Sequence, residues 1–163
     1  MNDNIFVRII GALHFIYILF LSFYVWVFRK NKYDIFVLLV LATNILTWTF
    51  YKGHCLITYH LHTDNSFNKN DRTLYELLFI FYDNKSALKM FTNTASVLYA
   101  ITLYFLLRRV GFTQIVQSVT TIMYIIYVAS LRLHNEFAIR IITEIVKLYY
   151  VLFIVWNIYS ILL

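Results

Sequence analysis

The stretch IIGALHFIYILFLSFYVWVF, Ile9 to Phe28, decides the fold. Its 20 residues carry no charge. Wound as an α-helix at 1.5 Å per residue they reach roughly 30 Å, the hydrocarbon thickness of a bilayer. Trp26, near the end of the run, suits the headgroup level. The preceding MNDN has no basic cluster, and no small-residue cleavage site follows, so the run reads as a retained membrane helix and not a removed targeting peptide.

The rest of the chain agrees. Of its 163 residues 61% are hydrophobic and 13% charged, against roughly 25% charged in an ordinary soluble domain. That deficit leaves too little charge to cover a water-facing surface. Further apolar runs occupy residues 35–51, 90–107, 112–131 and 148–163, the last preceded by Arg140, Glu144 and Lys147. The expected fold is therefore an all-α polytopic transmembrane bundle, one domain over residues 1–163, with spans at 9–28, 35–51, 90–107, 112–131 and 141–163. Four spans remain the alternative, if the last run lies along the surface. Residues 52–89 form a polar middle segment. Within it TLYELLFIFYD, around residues 73–83, is too short to cross a bilayer and reads as an interfacial or re-entrant helix.

Charge places the loops. The net charge is +6, and it sits in short connectors beside apolar runs, where anionic lipid headgroups are the natural partner. Arg29, Lys30, Lys32, Arg108 and Arg109 argue that the connectors after the first and third runs are cytoplasmic, with the N-terminus on the other side. Asn84 opens a formal glycosylation triplet, NKS, hard against the third run. Aromatic side chains are plentiful but are not interleaved with a basic patch, so nucleic acid is not an expected partner.

Candidate chemistry gathers in TWTFYKGHCLITYHLHTDN, residues 47–65, which holds the chain's only cysteine and three of its five histidines. An extended strand would put His54, Thr58, His60, His62 and Asp64 on one face; a helix would group His54, Thr58 and His62 instead. His54, Cys55, His60 and His62 are ligands of the right type for zinc or copper, but the spacing matches no closed zinc signature. A polar collar at the lipid–water boundary explains the stretch as well. Five spans would also bring His14 and His134 to the same membrane face as these three histidines. A pair such as His14 and His134 is the usual means by which a bundle holds haem.

The second cluster is RIITEIVK. Arg140, Glu144 and Lys147 share one helix face, either as an ion path or as groups that pair within the helix and snorkel to headgroups. Gln114, Gln117, Ser118 and Thr121 form a polar face on the fourth run, with Asn44, Thr47, Asn93, Thr94 and Ser96 on its neighbours. Such residues line channels or act as hydrogen-bond glue between helices. Gly11, Ala12, Ala95 and Ser96 would permit close helix approach. No phosphate-cradling glycine loop, nucleophile elbow or H-E-x-x-H motif is present.

WTFYKGHCLITY resembles a pattern in uncharacterised polytopic membrane proteins of giant DNA viruses and some protists. There a Trp near a helix end precedes Gly-x-Cys, a Ser/Thr-Tyr step and an Asn/Asp-rich loop. Trp48, Gly53, Cys55, Thr58 and Tyr59 fit; Leu56 stands where related patterns often have proline. The resemblance covers about a dozen residues and implies a membrane bundle of viral or organellar setting, without any activity or catalytic residue.

The function expected from these readings is a non-enzymatic structural or accessory role in a multi-pass membrane protein that packs with itself or with a membrane partner in the bilayer, without a cofactor. The alternatives are a metal- or haem-binding redox protein and a small ion channel.

Overall fold

The computed structural model describes residues 5–51, 54–61, 74–131 and 136–162. Their elements are α1 (Ile5–Val27), α2 (Asp34–Phe50), α3 (Leu56–Leu61), a 3₁₀ helix (Tyr75–Phe81), α4 (Lys85–Val110), α5 (Gln114–Ser130) and α6 (Glu136–Leu162). The all-helical expectation holds, with no strand among the described residues.

Local chemistry sets the helix ends. α1 runs out into Arg29 and Lys30, and Arg109 of α4 covers its exposed carbonyls: Nη1 donates to Phe28 O at 2.8 Å and Nη2 to Val25 O at 2.6 Å. A cation at a helix C-terminus also suits the helix dipole. Asn31 then turns the chain, its Oδ1 accepting from the Tyr33 N–H at 2.8 Å. At the start of α4, Tyr82 and Asp83 take left-handed backbone angles, and Asn84 Oδ1 accepts from the Ala87 N–H at 3.1 Å as an N-cap. α4 ends in a Schellman turn: Gly111 sits at φ 101°, and the Phe112 N–H reaches back to Leu107 O at 3.0 Å.

α4 is the hub, packing on α1, α2, α5 and the 3₁₀ helix, while α6 closes the other side against α2 and α5. α1 and α2, though consecutive, have no substantial contact with each other. The main core joins Leu21 and Tyr24 of α1 to Leu38, Leu41 and Ile45 of α2, Leu103 and Leu107 of α4, and the fully buried Tyr124, Tyr127 and Tyr150. A smaller core seats the 3₁₀ helix: Leu77 and Leu78 pack with Ile18, Leu88 and Ala95.

Polar residues turn inward and tie helices together. Thr102 Oγ1 donates to Ser22 O at 2.8 Å, Tyr150 Oη to Thr120 O at 3.0 Å, Tyr124 Oη to Ser96 O at 3.2 Å, and Asn44 Nδ2 to Tyr99 Oη at 3.4 Å. Gln117 and Thr121 bond within their own helix region instead, to Phe112 O and Gln117 O. Large apolar residues turn outward. Ile9, Leu13, Ile16, Phe20 and Phe23 form an exposed stripe on α1, and Ile141, Ile145, Leu148, Leu152 and Val155 form one on α6.

α1 and α4 are long and apolar enough to cross a membrane. α2 and α5 are apolar but 17 residues long, roughly 25 Å at 1.5 Å per residue. α6 begins five residues before the expected span and carries Glu136, Arg140, Glu144 and Lys147 in its first half. Among the described residues two helices, where five spans were expected, therefore pass on length and composition. Within the middle segment, the 3₁₀ helix packs against α1 and α4, with Glu76, Leu77 and Leu78 buried.

Candidate active site

Three separated pieces of chain meet beneath the 3₁₀ helix. His14 comes from the first half of α1, Cys55 from the turn before α3, and Glu76 from the 3₁₀ helix. His14 Nδ1 lies 2.8 Å from Glu76 Oε1, and His14 Nε2 lies 3.2 Å from Cys55 Sγ. Thr58 Oγ1, one turn into α3, donates to the same Glu76 oxygen at 2.7 Å. All four side chains are withdrawn from solvent: Cys55 is 8% exposed, His14 3%, Glu76 1% and Thr58 0%.

With Glu76 as a carboxylate, which only accepts, His14 donates from Nδ1, and a neutral ring then leaves Nε2 as the acceptor facing the thiol. Thr58 adds a second donor to the carboxylate. Thiol, imidazole and carboxylate thus stand in line, as an activated nucleophile requires: nucleophile on base, base oriented by a third group.

Backbone packing makes the alignment. Gly11 lies one turn before His14, and a Cβ there would fall 2.1 Å from Glu76 O and 2.8 Å from the Phe79 ring. Only a glycine lets the 3₁₀ helix come this close to α1 and carry Glu76 to His14. Cys55 is held by the turn that closes α2, where the His54 N–H bonds to Tyr51 O at 3.0 Å, and its own carbonyl accepts from the Tyr59 N–H at 2.9 Å. Trp48 stacks on Tyr99 with ring centroids 6.0 Å apart.

Of the residues singled out in the sequence, Cys55 and His14 come together, and His54 is buried beside them. His60 belongs to α3, but its side chain, with the whole of His62 and His134, lies outside the described residues. The histidine pairs imagined for zinc, copper or haem fall there too. His14 itself engages Glu76 and Cys55 with its two ring nitrogens. Among the described residues no three His, Cys, Asp or Glu side chains are grouped to hold a metal ion. Arg140, Glu144 and Lys147 do share the outer part of α6. Lys147 Nζ donates to Glu144 Oε1 at 2.6 Å and sits 5.1 Å from the Phe50 ring centre, while Arg140 is exposed.

Glu76 and the bonding role of Thr58 went unread in the sequence. The signal for Glu76 was present: it is the one acid inside the apolar run of the 3₁₀ helix, where an unpaired carboxylate would be costly. Its partner, however, is 62 residues away. Comparison with protein-family models, curated proteins and solved structures finds no match for the chain.

Proposed function

We propose that the chain is a multi-pass membrane protein of five spans whose Cys55–His14–Glu76 centre carries out acyl transfer. The observation that carries this reading is the unbroken line from Cys55 Sγ through the His14 ring to Glu76 Oε1, at 3.2 Å and 2.8 Å. An ionisable cluster inside a membrane bundle is expensive to bury, and its default explanation is function.

The chemistry follows from the proton positions. His14 Nε2 takes the proton of the Cys55 thiol as the sulfur attacks the carbonyl carbon of an acyl thioester or ester. A sulfur–carbon bond forms. The bond from that carbon to the donor's thiol or alcohol breaks, and the leaving group departs with the proton held by His14. The thioester on Cys55 then passes its acyl group to water or to an acceptor hydroxyl or thiol, with His14 again taking and returning the proton. Glu76 is a positioning residue: it fixes the imidazole tautomer and favours the imidazolium formed midway.

The test uses purified protein in nanodiscs, incubated with an acyl coenzyme A thioester, with hydroxylamine-labile acylation read by intact mass. Wild type is expected to acylate on Cys55 and to turn over. Cys55→Ala abolishes labelling. His14→Ala slows it by about 10²–10⁴-fold, the usual contribution of a general base. Equal labelling of wild type and His14→Ala would sink the reading.

A structural role is the second reading, favoured by the same contacts, since Glu76 ties the 3₁₀ helix to both α1 and α3. In that case the chain is an accessory membrane component and the cluster a polar clamp. His14→Ala and Glu76→Gln would then lower thermal stability, and no acyl group would reach Cys55.

A further inference from the structure

The Cys55 centre is closed. Its four side chains are each at most 8% exposed, so nothing from outside reaches the thiol until an element moves. The 3₁₀ helix is placed to be that element. It carries Glu76, and α3, which follows Cys55, has its main packing contact with it among the described residues.

The 3₁₀ helix is also strained. Runs of 3₁₀ helix beyond three or four residues are uncommon and mark a hinge or strain; this one has seven. It ends at Tyr82 with φ 51° and Asp83 with φ 59°, two successive non-glycine residues in the left-handed region. Aspartate is tolerated there, but a bulky ring much less. Helices normally put glycine at such a cap, as α4 does at Gly111. The Tyr82 side chain is 95% exposed, so no burial offsets its backbone angle. Nor does the chain itself require a break here, since no proline or glycine lies between Leu74 and Val110. Docking holds the strained form: the bonds from His14 and Thr58 to Glu76, the burial of Leu77 and Leu78, and the close seat at Gly11.

We infer that Tyr75–Phe81 is a strained lid over Cys55, hinged at Tyr82 and Asp83. Relaxation of the hinge to right-handed angles lifts Glu76 from His14 and uncovers the thiol. Closing restores the His14–Glu76 bond over whatever has entered and shuts out water. Backbone strain of this kind persists only where the surroundings over-determine it, and it collects at switch regions. The lid does not depend on acyl transfer and would serve any chemistry at Cys55.

The test compares Tyr82→Gly with Tyr82→Ala in the full chain in nanodiscs. Both remove the exposed ring, but only glycine relieves the left-handed strain. Glycine also disfavours a right-handed helical hinge, which acts in the same direction. Two rates are read: amide hydrogen exchange over residues 75–81, and alkylation by N-ethylmaleimide, which reports Cys55 alone because it is the only cysteine. Both rates are expected to fall about 5–30-fold in Tyr82→Gly, the scale of one residue's left-handed strain, and to stay at or above wild type in Tyr82→Ala. Equal rates in the two variants overturn the hinge. Exchange that slows while alkylation does not shows that the segment does not cover the thiol, and overturns the lid. Alkylation of folded wild type as fast as of the denatured chain overturns it too. None of these outcomes reads turnover, so acyl transfer stands or falls separately.

Discussion

At the scale of single residues, one carboxylate oxygen does two jobs. Glu76 Oε1 accepts from His14 at 2.8 Å and from Thr58 at 2.7 Å, and the two bonds differ in what they control. The His14 bond sets which ring nitrogen faces the thiol. The Thr58 bond only holds the carboxylate still. Removing them should therefore have unequal effects. Glu76→Gln keeps the shape but loses the negative charge that favours imidazolium, so acyl transfer should fall by about 10²-fold or more, in the range of a disabled general base. Folding stability should fall by about 1.5–3 kcal/mol, the worth of hydrogen bonds to a charged group. Thr58→Val removes one neutral donor and should lower the rate by about tenfold at most. Transfer rates and unfolding midpoints measured for the two variants give the ranking directly. Should Thr58→Val prove as damaging as His14→Ala, the assigned roles are wrong. A fall in stability for Glu76→Gln, with an unchanged rate per folded molecule, would make the carboxylate a clamp.

At the scale of elements, the site depends on how the 3₁₀ helix docks. Gly11→Ala would place a methyl group 2.1 Å from a backbone oxygen, where a carbon–oxygen contact normally needs about 3.3 Å. The obstacle is backbone, so the 3₁₀ helix must move by about 1 Å. A displacement of that size at a catalytic group can lower a rate by about 10²-fold. Gly11→Ala should therefore retain its helix content by circular dichroism and lose about two orders of magnitude in transfer. Transfer at the wild-type rate would show that Glu76 does not need its present position.

The same elements show what the sequence could disclose. Helices α1, α2, α4, α5 and α6 sit on the five apolar runs, where long stretches without proline and with little glycine leave the helix uninterrupted. Gly11 reads as a point of close approach from its small size, and it is one. Cys55 and His14 are legible as ligand-type residues, but a residue type reports what it can bind and not what it touches, and their mutual contact comes only with the fold. Glu76 went unread because a seven-residue 3₁₀ helix has no periodicity of its own. Its meaning comes from docking against α1, and such long-range contacts leave no mark on local spacing.

At the scale of the whole molecule, polarity is arranged from inside to outside. Threonine, serine and tyrosine hydroxyls bond across the bundle, while aliphatic stripes on α1, α5 and α6 face outward. In water an exposed surface of that kind would drive association; in lipid it faces a solvent as apolar as itself. α2 and α5 are short for a span, but each sits against a longer helix, α2 on α6 and α4, α5 on α4 and α6. Local bilayer thinning or flanking residues that reach to the interface absorb a mismatch of a few ångströms at modest cost. If five helices cross, the connectors must alternate. Residues 29–33 and 111–113 lie on one side, and residues 82–84 and the connector at 132–135 on the other. The check is single-cysteine labelling in a Cys55→Ala background. Asn31→Cys and Gly111→Cys should react with a membrane-impermeant maleimide from one side of sealed vesicles, and Asn84→Cys and His134→Cys from the other. Asn31→Cys and Asn84→Cys labelled from the same side would mean that α2 and the segment after it return without crossing. Gly111→Cys and His134→Cys on the same side would take α5 out of the membrane. The basic residues beside the first pair, Arg29, Lys30, Lys32, Arg108 and Arg109, add a direction: the Asn31 and Gly111 side should be the cytoplasmic one. That orientation puts the Cys55 centre toward the opposite face.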